Sequence, residues 1–443
     1  MRKYIIIACL VLGCANAHSQ SKWTLRQCID YAIDNNIEIK QQELNVESAK
    51  NDLSTSKNSR LPDLNASLSH QFNFGQSTDY NTNMTKMTNT SGARLSVETS
   101  VPLFTGLRIT NEIKRDELNL AAATEGLKKA KENMELQVTS YYLEVLFQKE
   151  ILKAYQEQAG LSREQVARTE ILVNSGKIAE SQLYDMKAQL AKDELNETTA
   201  QNNLDLALLN LSQVLNLNAY ENFDVVEPSM GNVIQDNQSS IMPVSHIYQT
   251  AISIKPHIKE AELNVESSKK SLKVAQAGYY PKLNMSLGYG TAAQRVYGVD
   301  NPSFNRQIKD NSSEYIGFSL SIPIFNRFQV RNQVRASRLQ IQNNVLALDN
   351  VKQALLKEIQ QAYQSAVAAR AKYNSTEKAY EAANESFKYA QRRYDVGKLS
   401  VFELSEAQTK LLTSRSEQIQ AKYDFLFRAK ILDFYAGKEI DIK

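Results

Sequence analysis

The sequence is poor in the two residues that most often interrupt helices, with 15 glycines and 8 prolines among 443 residues. From about residue 328 to 394 the chain contains neither of them, and residues 107–173 contain no proline and only Gly126 and Gly160. At 1.5 Å per residue, each of these 67-residue stretches would form a helix about 100 Å long. The scarcity therefore predicts long uninterrupted helices.

The absence of several other sequence features narrows the range of possible functions. The net charge is only +3 and no basic patch is visible, which argues against a nucleic-acid partner. The four histidines lack ligand spacing, and no nucleotide-binding or hydrolase motif is present, so we expect no catalytic residues, no metal and no cofactor. Beyond the N-terminus no apolar run reaches 18 residues, which leaves a soluble protein or a transmembrane β-barrel.

The first 17 residues are typical of a secretory signal peptide, with a charged start, an apolar stretch at 4–12 and an Ala-Asn-Ala cleavage site at 15–17. An alternative is a lipoprotein signal, because Val-Leu-Gly precedes Cys14, which would then be acylated. After cleavage at Ala17 only Cys28 remains, and a single thiol forms no internal disulfide.

The chain carries an internal duplication. Residues 43–53 recur at 262–272 with eight of eleven positions identical, at an offset of 219. The segments Val-Pro-Leu-Phe at 101–104 and Asn-Ser-Gly-Lys at 174–177 recur as Ile-Pro-Ile-Phe and Asp-Val-Gly-Lys, both at an offset of 221. Because these recurring segments follow one another in the same order in both halves, the sequence predicts two copies of one unit. We place the first repeat at 18–217, a linker at 218–243 and the second repeat at 244–443.

Each repeat is expected to contain a helix, two strands around a polar loop, a long helix, a turn and a returning helix. The predicted helices are residues 24–59, 107–173, 178–217, 244–278, 328–394 and 399–435. Residues at 4-3-4-3 spacing predict a coiled-coil seam in the second long helix, less regular in the first: Leu355, Ile359, Ala362, Ala366, Ala369, Tyr373, Thr376, Tyr380, Ala383, Phe387, Ala390 and Tyr394.

Four segments, at about 62–74, 91–104, 281–290 and 314–325, alternate apolar and polar residues. Period two with one apolar face predicts half-buried strands, and a length near ten residues suits a transmembrane strand. An ordinary soluble sheet with one wet face is the alternative. Because open sheet edges do not persist in lipid, a barrel requires further copies. Three copies would give twelve strands, and two would give eight.

This combination of duplicated unit, paired strands and glycine-containing helix turns resembles the TolC-type outer-membrane efflux family. The resemblance covers the whole mature chain. It implies a mostly α-helical protein with membrane β-structure: a homotrimer with a twelve-stranded β-barrel, four strands per protomer, and a long coiled-coil α-barrel. It also implies an outer-membrane location in a Gram-negative bacterium, contact with outer-membrane lipid, and partnership with a periplasmic adaptor protein and an inner-membrane pump.

The family's adaptor-docking positions map onto the two helix turns: Gly176, Lys177, Ile178, Tyr394, Gly397, Lys398 and Leu399. Its acidic ring at the periplasmic mouth maps onto Glu403 and Glu406, although a solvated helix face is the commoner fate of such a pair. The family's acidic and basic partners that close the mouth align with Gln182 and Leu399, so that ion pair is expected to be absent.

The sequence therefore predicts an exit duct of a tripartite efflux or type I secretion system, which is a passive conduit gated at its periplasmic tip. The alternative is a secreted coiled-coil stalk, structural or adhesive, without a channel.

Overall fold

The computed structural model describes residues 22–79, 84–217, 223–228 and 242–440. The predicted signal peptide, Cys14 and most of the predicted linker lie outside these residues. The helices are α1 Leu25–Asn35, α2 Ile37–Asn58, α3 Arg108–Asn174, α4 Glu180–Val214, α5 Val244–Ile254, α6 Pro256–Gln276, α7 Phe304–Asp310, α8 Gln329–Asp395 and α9 Val401–Tyr435. The strands are β1 Lys22–Trp23, β2 Asn65–Asn73, β3 Gln76–Asp79, β4 Met84–Met87, β5 Thr90–Phe104, β6 Asp224–Val225, β7 Lys282–Val296 and β8 Ser313–Ser321.

The chain divides into two compact units, and the first of them is mainly helical. It comprises residues 1–44, 126–258 and 351–443. Its largest apolar cluster draws buried side chains from α1, α3, α4 and α9. The predicted seam of α8 is confirmed, since most of its positions in this unit are buried, including Leu355, Ile359 and Ala366. Burial of these apolar side chains is the main source of stability for such long helices.

A small parallel pair, β1 with β6, joins the segment just before α1 to the segment after α4. The Lys149 ammonium lies 2.5 Å from the Asp224 carboxylate and donates to the carbonyl of Val225. Burial raises the pKa of Asp224, but the hydrogen bond and charge of Lys149 outweigh that effect and leave it below its usual value. Residues 224–225 were predicted to be linker, so their strand pairing is an addition to the prediction.

Two helices predicted as single are broken, and both breaks have a local cause. Asn36 separates α1 from α2 in an extended conformation, and its side chain accepts from the Glu38 N–H at 2.8 Å. Lys255 separates α5 from α6 in the same way because the following Pro256 disfavours a helical conformation before it. The prediction of continuous helices over 24–59 and 244–278 was therefore wrong.

The second unit, residues 45–125 and 259–350, contains an antiparallel sheet of order β2-β5-β7-β8. Alternation along each strand separates an apolar face from a polar face, as predicted. The apolar side chains of the two outer strands are largely exposed in the protomer: Leu68 is 78% and Phe318 67% exposed. Among the described residues, β2 and β8 each have only one strand neighbour.

The strand bounds differ from the prediction at β7 and β8. β7 continues to Val296, within a segment predicted to be loop, whereas β8 ends at Ser321 rather than near 325. Where β7 outruns β8, side chains of residues 301–311 satisfy its free edge. The Gln294 N–H donates to Gln307 at 2.8 Å, and the Ala292 carbonyl accepts from Asn311 at 2.7 Å. These contacts close an edge that would otherwise remain open to pairing.

The strand-to-helix turns repeat one strained conformation in both halves. Leu107 and Phe328, which are 221 positions apart, have φ of 64° and 62°. A left-handed conformation costs roughly 1–2 kcal/mol for a residue other than glycine. Tertiary structure therefore holds both turns against local preference. Among the described residues, no helix is both long and apolar enough to cross a membrane.

Candidate functional site at the helix turns

The two turns between long and returning helices have the same geometry. After α3 the Lys177 N–H donates to the Leu172 carbonyl at 2.9 Å, and Gly176 has φ of +71°. After α8 the Lys398 N–H donates to the Arg393 carbonyl at 2.8 Å, and Gly397 has φ of +74°. This is the Schellman arrangement, which ends a helix on a left-handed residue. Glycine is favoured at both positions for that conformation alone, because an added Cβ would meet no other atom.

The predicted docking residues fall into two groups. Gly176, Lys177, Gly397 and Lys398 are exposed, whereas Ile178, Tyr394 and Leu399 are half-buried. Tyr394 and Leu399 pack against an apolar cluster whose buried members are Met186 of α4, Phe387 of α8, and Val401 and Leu404 of α9. The structure therefore brings residues from both helical hairpins into one cluster near the two turns.

An ion pair joins the two hairpins near the turns. The Arg168 guanidinium of α3 lies 2.6 Å from the carboxylate of Asp395, the last residue of α8. Farther along the helices, Arg415 of α9 pairs with Glu157 of α3 at 2.5 Å. Both pairs are partly exposed, so each contributes about 1 kcal/mol or less. These two ion pairs join the hairpins without Gln182 or Leu399, the positions that align with the family's ion pair.

Glu403 has a structural role that the sequence analysis missed. The backbone N–H and the hydroxyl of Ser400 donate to its carboxylate at 2.9 and 2.7 Å, while the Glu403 N–H donates back to the Ser400 hydroxyl. These hydrogen bonds from Ser400 hold the pKa of Glu403 below its usual value. The arrangement is a capping box at the start of α9, and Ser-x-x-Glu is its readable signature.

Glu406 lies one turn further along α9 and borders a groove between α4 and α9. The groove has a volume of about 720 Å³, and its charged lining is Asp185 and Lys192 from α4 and Glu406 and Lys410 from α9. Phe402, 75% exposed, also lines it. Glu403 and Glu406 thus share an exposed stretch of helix, but only Glu406 contributes to the groove.

A family model described as outer membrane efflux protein matches residues 28–217 and 247–438. The two matched ranges correspond to the two repeats and together cover most of the chain. The chain belongs to the outer membrane efflux protein family. The resemblance stated from the sequence is therefore confirmed.

Known outer-membrane proteins resemble this chain at low identity. The outer membrane protein TolC of Escherichia coli is 23% identical over 294 residues, which are 66% of this chain and 58% of TolC. The efflux protein BepC of Brucella suis is 21% identical over 90% of this chain and 82% of its own length. The outer membrane protein VceC of Vibrio cholerae has the same fold, with a TM-score of 0.74 at 17% identity over 94% of this chain and 96% of VceC.

The helical unit of this family member also contains a buried polar layer that the sequence analysis did not find. The Asp193 carboxylate of α4, 2% exposed, accepts from Ser162 at 2.6 Å, Gln158 at 3.3 Å and Gln189 at 3.1 Å. Gln408 of α9 is fully buried and donates to the Ser162 hydroxyl at 3.2 Å. Three helices therefore share one hydrogen-bond network, although no local sequence pattern links these residues.

Two exposed apolar residues near the turns also escaped the sequence analysis. Val396 is 67% exposed between Asp395 and Gly397, and Phe402 is exposed in the first turn of α9. No helical spacing could have marked them, because Val396 lies in the turn itself and Phe402 lies in α9, outside the seam predicted for α8.

Proposed function

We propose that this chain is one protomer of a trimeric outer-membrane exit duct for efflux or type I secretion. The proposal rests mainly on the four-stranded sheet, which has an exposed apolar face and a polar opposite face. Lipid-facing and lumen-facing side chains alternate in this way in transmembrane barrels. A soluble sheet with one wet face would instead bury its apolar side against other elements of the chain.

The sheet's outer edges support closure by identical copies. β2 and β8 each have nine residues, whereas the two inner strands have fifteen. Pairing β8 of one protomer with β2 of the next would match two edges of equal length. Three copies then give twelve strands and leave no open edge in the hydrocarbon, where an unpaired backbone group costs several kcal/mol.

The long helices support a duct that continues beyond the membrane. α3 and α8 each contain 67 residues, which corresponds to about 100 Å. Their ends carry the exposed turns, and we assign adaptor docking to Gly176, Lys177, Gly397 and Lys398 together with Val396. Ile178, Tyr394 and Leu399 would support this surface by packing behind it. The inner-membrane pump would supply the energy for transport through its adaptor.

The test of the duct uses purified full-length protein in planar bilayers and in detergent gels. We expect discrete conductance steps and an oligomer that dissociates only on heating. The rival hypothesis, a secreted stalk with a soluble sheet, predicts release from cells without detergent and no conductance. That outcome would overturn the duct.

Glu403 and Glu406 are the proposed acidic ring at the periplasmic mouth. Six carboxylates near one axis would attract cations, so Glu403→Gln with Glu406→Gln is expected to reduce cation over anion permeability about twofold or more. Glutamine at position 403 can preserve the capping box, which separates charge from helix capping. Reversal potentials in a salt gradient measure the change.

The matched control for the acidic ring is Glu180→Gln, which removes an exposed carboxylate from the first turn of the other returning helix, α4. It is expected to leave the reversal potential unchanged. If the double variant retained wild-type selectivity while forming stable trimers, the acidic-ring assignment would be wrong, although the duct itself could stand.

A further inference from the structure

The polar face of the sheet is lined mostly by small side chains. Strand register places residues in rows that cross the sheet on this face. One row is Ser67, Ser96, Gly290 and Ser313, and the Ser67 and Ser96 hydroxyls are 2.7 Å apart. Such a face gives an open lumen in which any charged side chain has a large effect.

Two oppositely charged residues of β5 interrupt this face. Arg94 has Ser69 and Ala292 as cross-strand neighbours, and Glu98 has Asn65 and Gly288. Both charged side chains are exposed. Within the described part of the chain, neither side chain makes a hydrogen bond or ion pair. Their charges are therefore available to the space in front of the polar face.

The row of Glu98 is also shaped by an aromatic ring. Tyr315 of β8 lies in this row, and its ring covers Gly288, where an added Cβ would come within 2.7 Å of the Tyr315 Cζ. Any side chain larger than hydrogen at position 288 would displace the ring. Glu98 and Tyr315 are thus the two large side chains of one row, separated by a glycine.

We propose that Arg94 and Glu98 form two charge rings of opposite sign in the barrel lumen and make ion flow through it asymmetric. This inference rests on the trimeric duct proposed above. Three copies would place three guanidinium groups in one ring and three carboxylates in the other. Four residues span about 13 Å along a strand, which the strand tilt of a transmembrane barrel reduces to about 10 Å along its axis. Since the Debye length is about 8 Å at physiological ionic strength, each ring acts largely by itself.

The order of the rings follows from the direction of β5. This strand runs from the loop end of the sheet toward the start of α3, so Glu98 lies nearer the helices and Arg94 nearer the loops. A solute leaving through the helices would meet the carboxylates first and the guanidinium groups second. Charged rings of opposite sign favour opposite ions, so the pair in series gives weak net selectivity and a rectified current.

Planar-bilayer recordings of wild type, Arg94→Gln, Glu98→Gln and the double variant test the rings. In the wild type we expect currents that differ at opposite voltages of equal size. Arg94→Gln should shift permeability toward cations about twofold or more, and Glu98→Gln should shift it toward anions by a similar factor. The double variant should reduce the difference between the currents at opposite voltages, whereas Arg94→Lys should retain the wild-type curve.

Charge removals on the opposite face of the same sheet provide the matched control. Arg295 shares the row of Phe72, and Glu314 shares the row of Val97 and Ala66, so both project from the apolar side. Arg295→Gln and Glu314→Gln should leave the current–voltage curve unchanged. If the Arg94→Gln and Glu98→Gln variants formed conducting trimers with wild-type current–voltage curves, the charge-ring proposal would be wrong and the duct proposal would be unaffected. A wild-type protein without conductance would overturn the duct and the rings with it.

Discussion

Replacing Phe318 by arginine is expected to prevent stable insertion of the protein into membranes. Phe318 lies near the middle of β8 on the apolar face, between the exposed residues Ile316 and Leu320. An arginine on the lipid face of a transmembrane barrel costs roughly 2–4 kcal/mol at the bilayer midplane. Three copies in one trimer would therefore cost roughly 6–12 kcal/mol, which is comparable to the whole stability of many folded proteins.

The matched control is the next residue of the same strand. Ser319 lies on the polar face, so Ser319→Arg adds the same charge and bulk toward the proposed lumen. We expect Ser319→Arg to form heat-modifiable trimers in outer-membrane fractions and to show reduced conductance. Phe318→Arg should yield little trimer in the same fractions, and refolding into lipid vesicles should fail.

Equal trimer yields for the two variants would contradict the assignment of faces. If Ser319→Arg alone failed to assemble, the polar face would be the one against lipid. If neither variant affected assembly, β8 would not contact the bilayer, and the soluble sheet of the stalk hypothesis would regain support.

Residue alternation predicted all four strands of this sheet because a period of two is a local property of the sequence. The end of β7 could not be predicted in the same way. Residues 291–296 are a strand because they pair with residues 90–95 of β5, and the side chains of Gln307 and Asn311 bond to their other, free edge. Such contacts depend on tertiary structure, and the local sequence pattern of residues 291–296 does not predict them.

Glycine marked two helix ends correctly, but the same conformation occurs where no glycine is present. Asn216 ends α4 with φ of 58°, and its counterpart 221 residues later is Gly437, with φ of 78°. Both positions precede a residue whose N–H returns to the last helical turn, from Leu217 and from Lys438. Internal duplication could have revealed Asn216, since aligning it with a glycine suggests a shared backbone conformation.

In the candidate site, too, features set by the local sequence could be predicted, and features set by tertiary packing could not. The capping role of Glu403 was readable, because Ser400 stands three residues before it and opens a helix. The groove that joins Glu406 to Asp185 was not readable, since more than 200 positions separate the two residues. The buried network around Asp193 likewise depends on how three helices pack.

Asp193→Ala is expected to destabilise the helical unit by about 3 kcal/mol or more per protomer. The substitution removes the acceptor for Ser162, Gln158 and Gln189 in an almost fully buried site. A buried donor left without a partner costs about 1–3 kcal/mol; the buried donors of Ser162 and Gln158 both lose their acceptor here, and so does the half-buried Gln189. Urea unfolding in detergent, followed by the circular dichroism of the helices, measures the change.

Arg163→Gln is the matched control, because it breaks charged contacts of the same pair of helices at an exposed position. Arg163 of α3 lies 3.1 Å from Glu194 and from Glu197, both neighbours of Asp193 on α4. Exposed ion pairs contribute about 1 kcal/mol or less, so the two variants should differ severalfold in their effect. Equal, small effects would show that the carboxylate does not hold the network together.

A combined variant separates the penalty for orphaned donors from the net contribution of the polar layer. Asp193→Leu together with Ser162→Ala and Gln408→Leu replaces most of the network by apolar groups, although Gln158 and Gln189 keep their amides. Asp193→Ala leaves three donors without their acceptor, whereas the triple variant leaves two and fills the site with apolar groups. We therefore expect the triple variant to be more stable than Asp193→Ala. If it is less stable, the layer itself contributes net free energy to the packing of α3, α4 and α9.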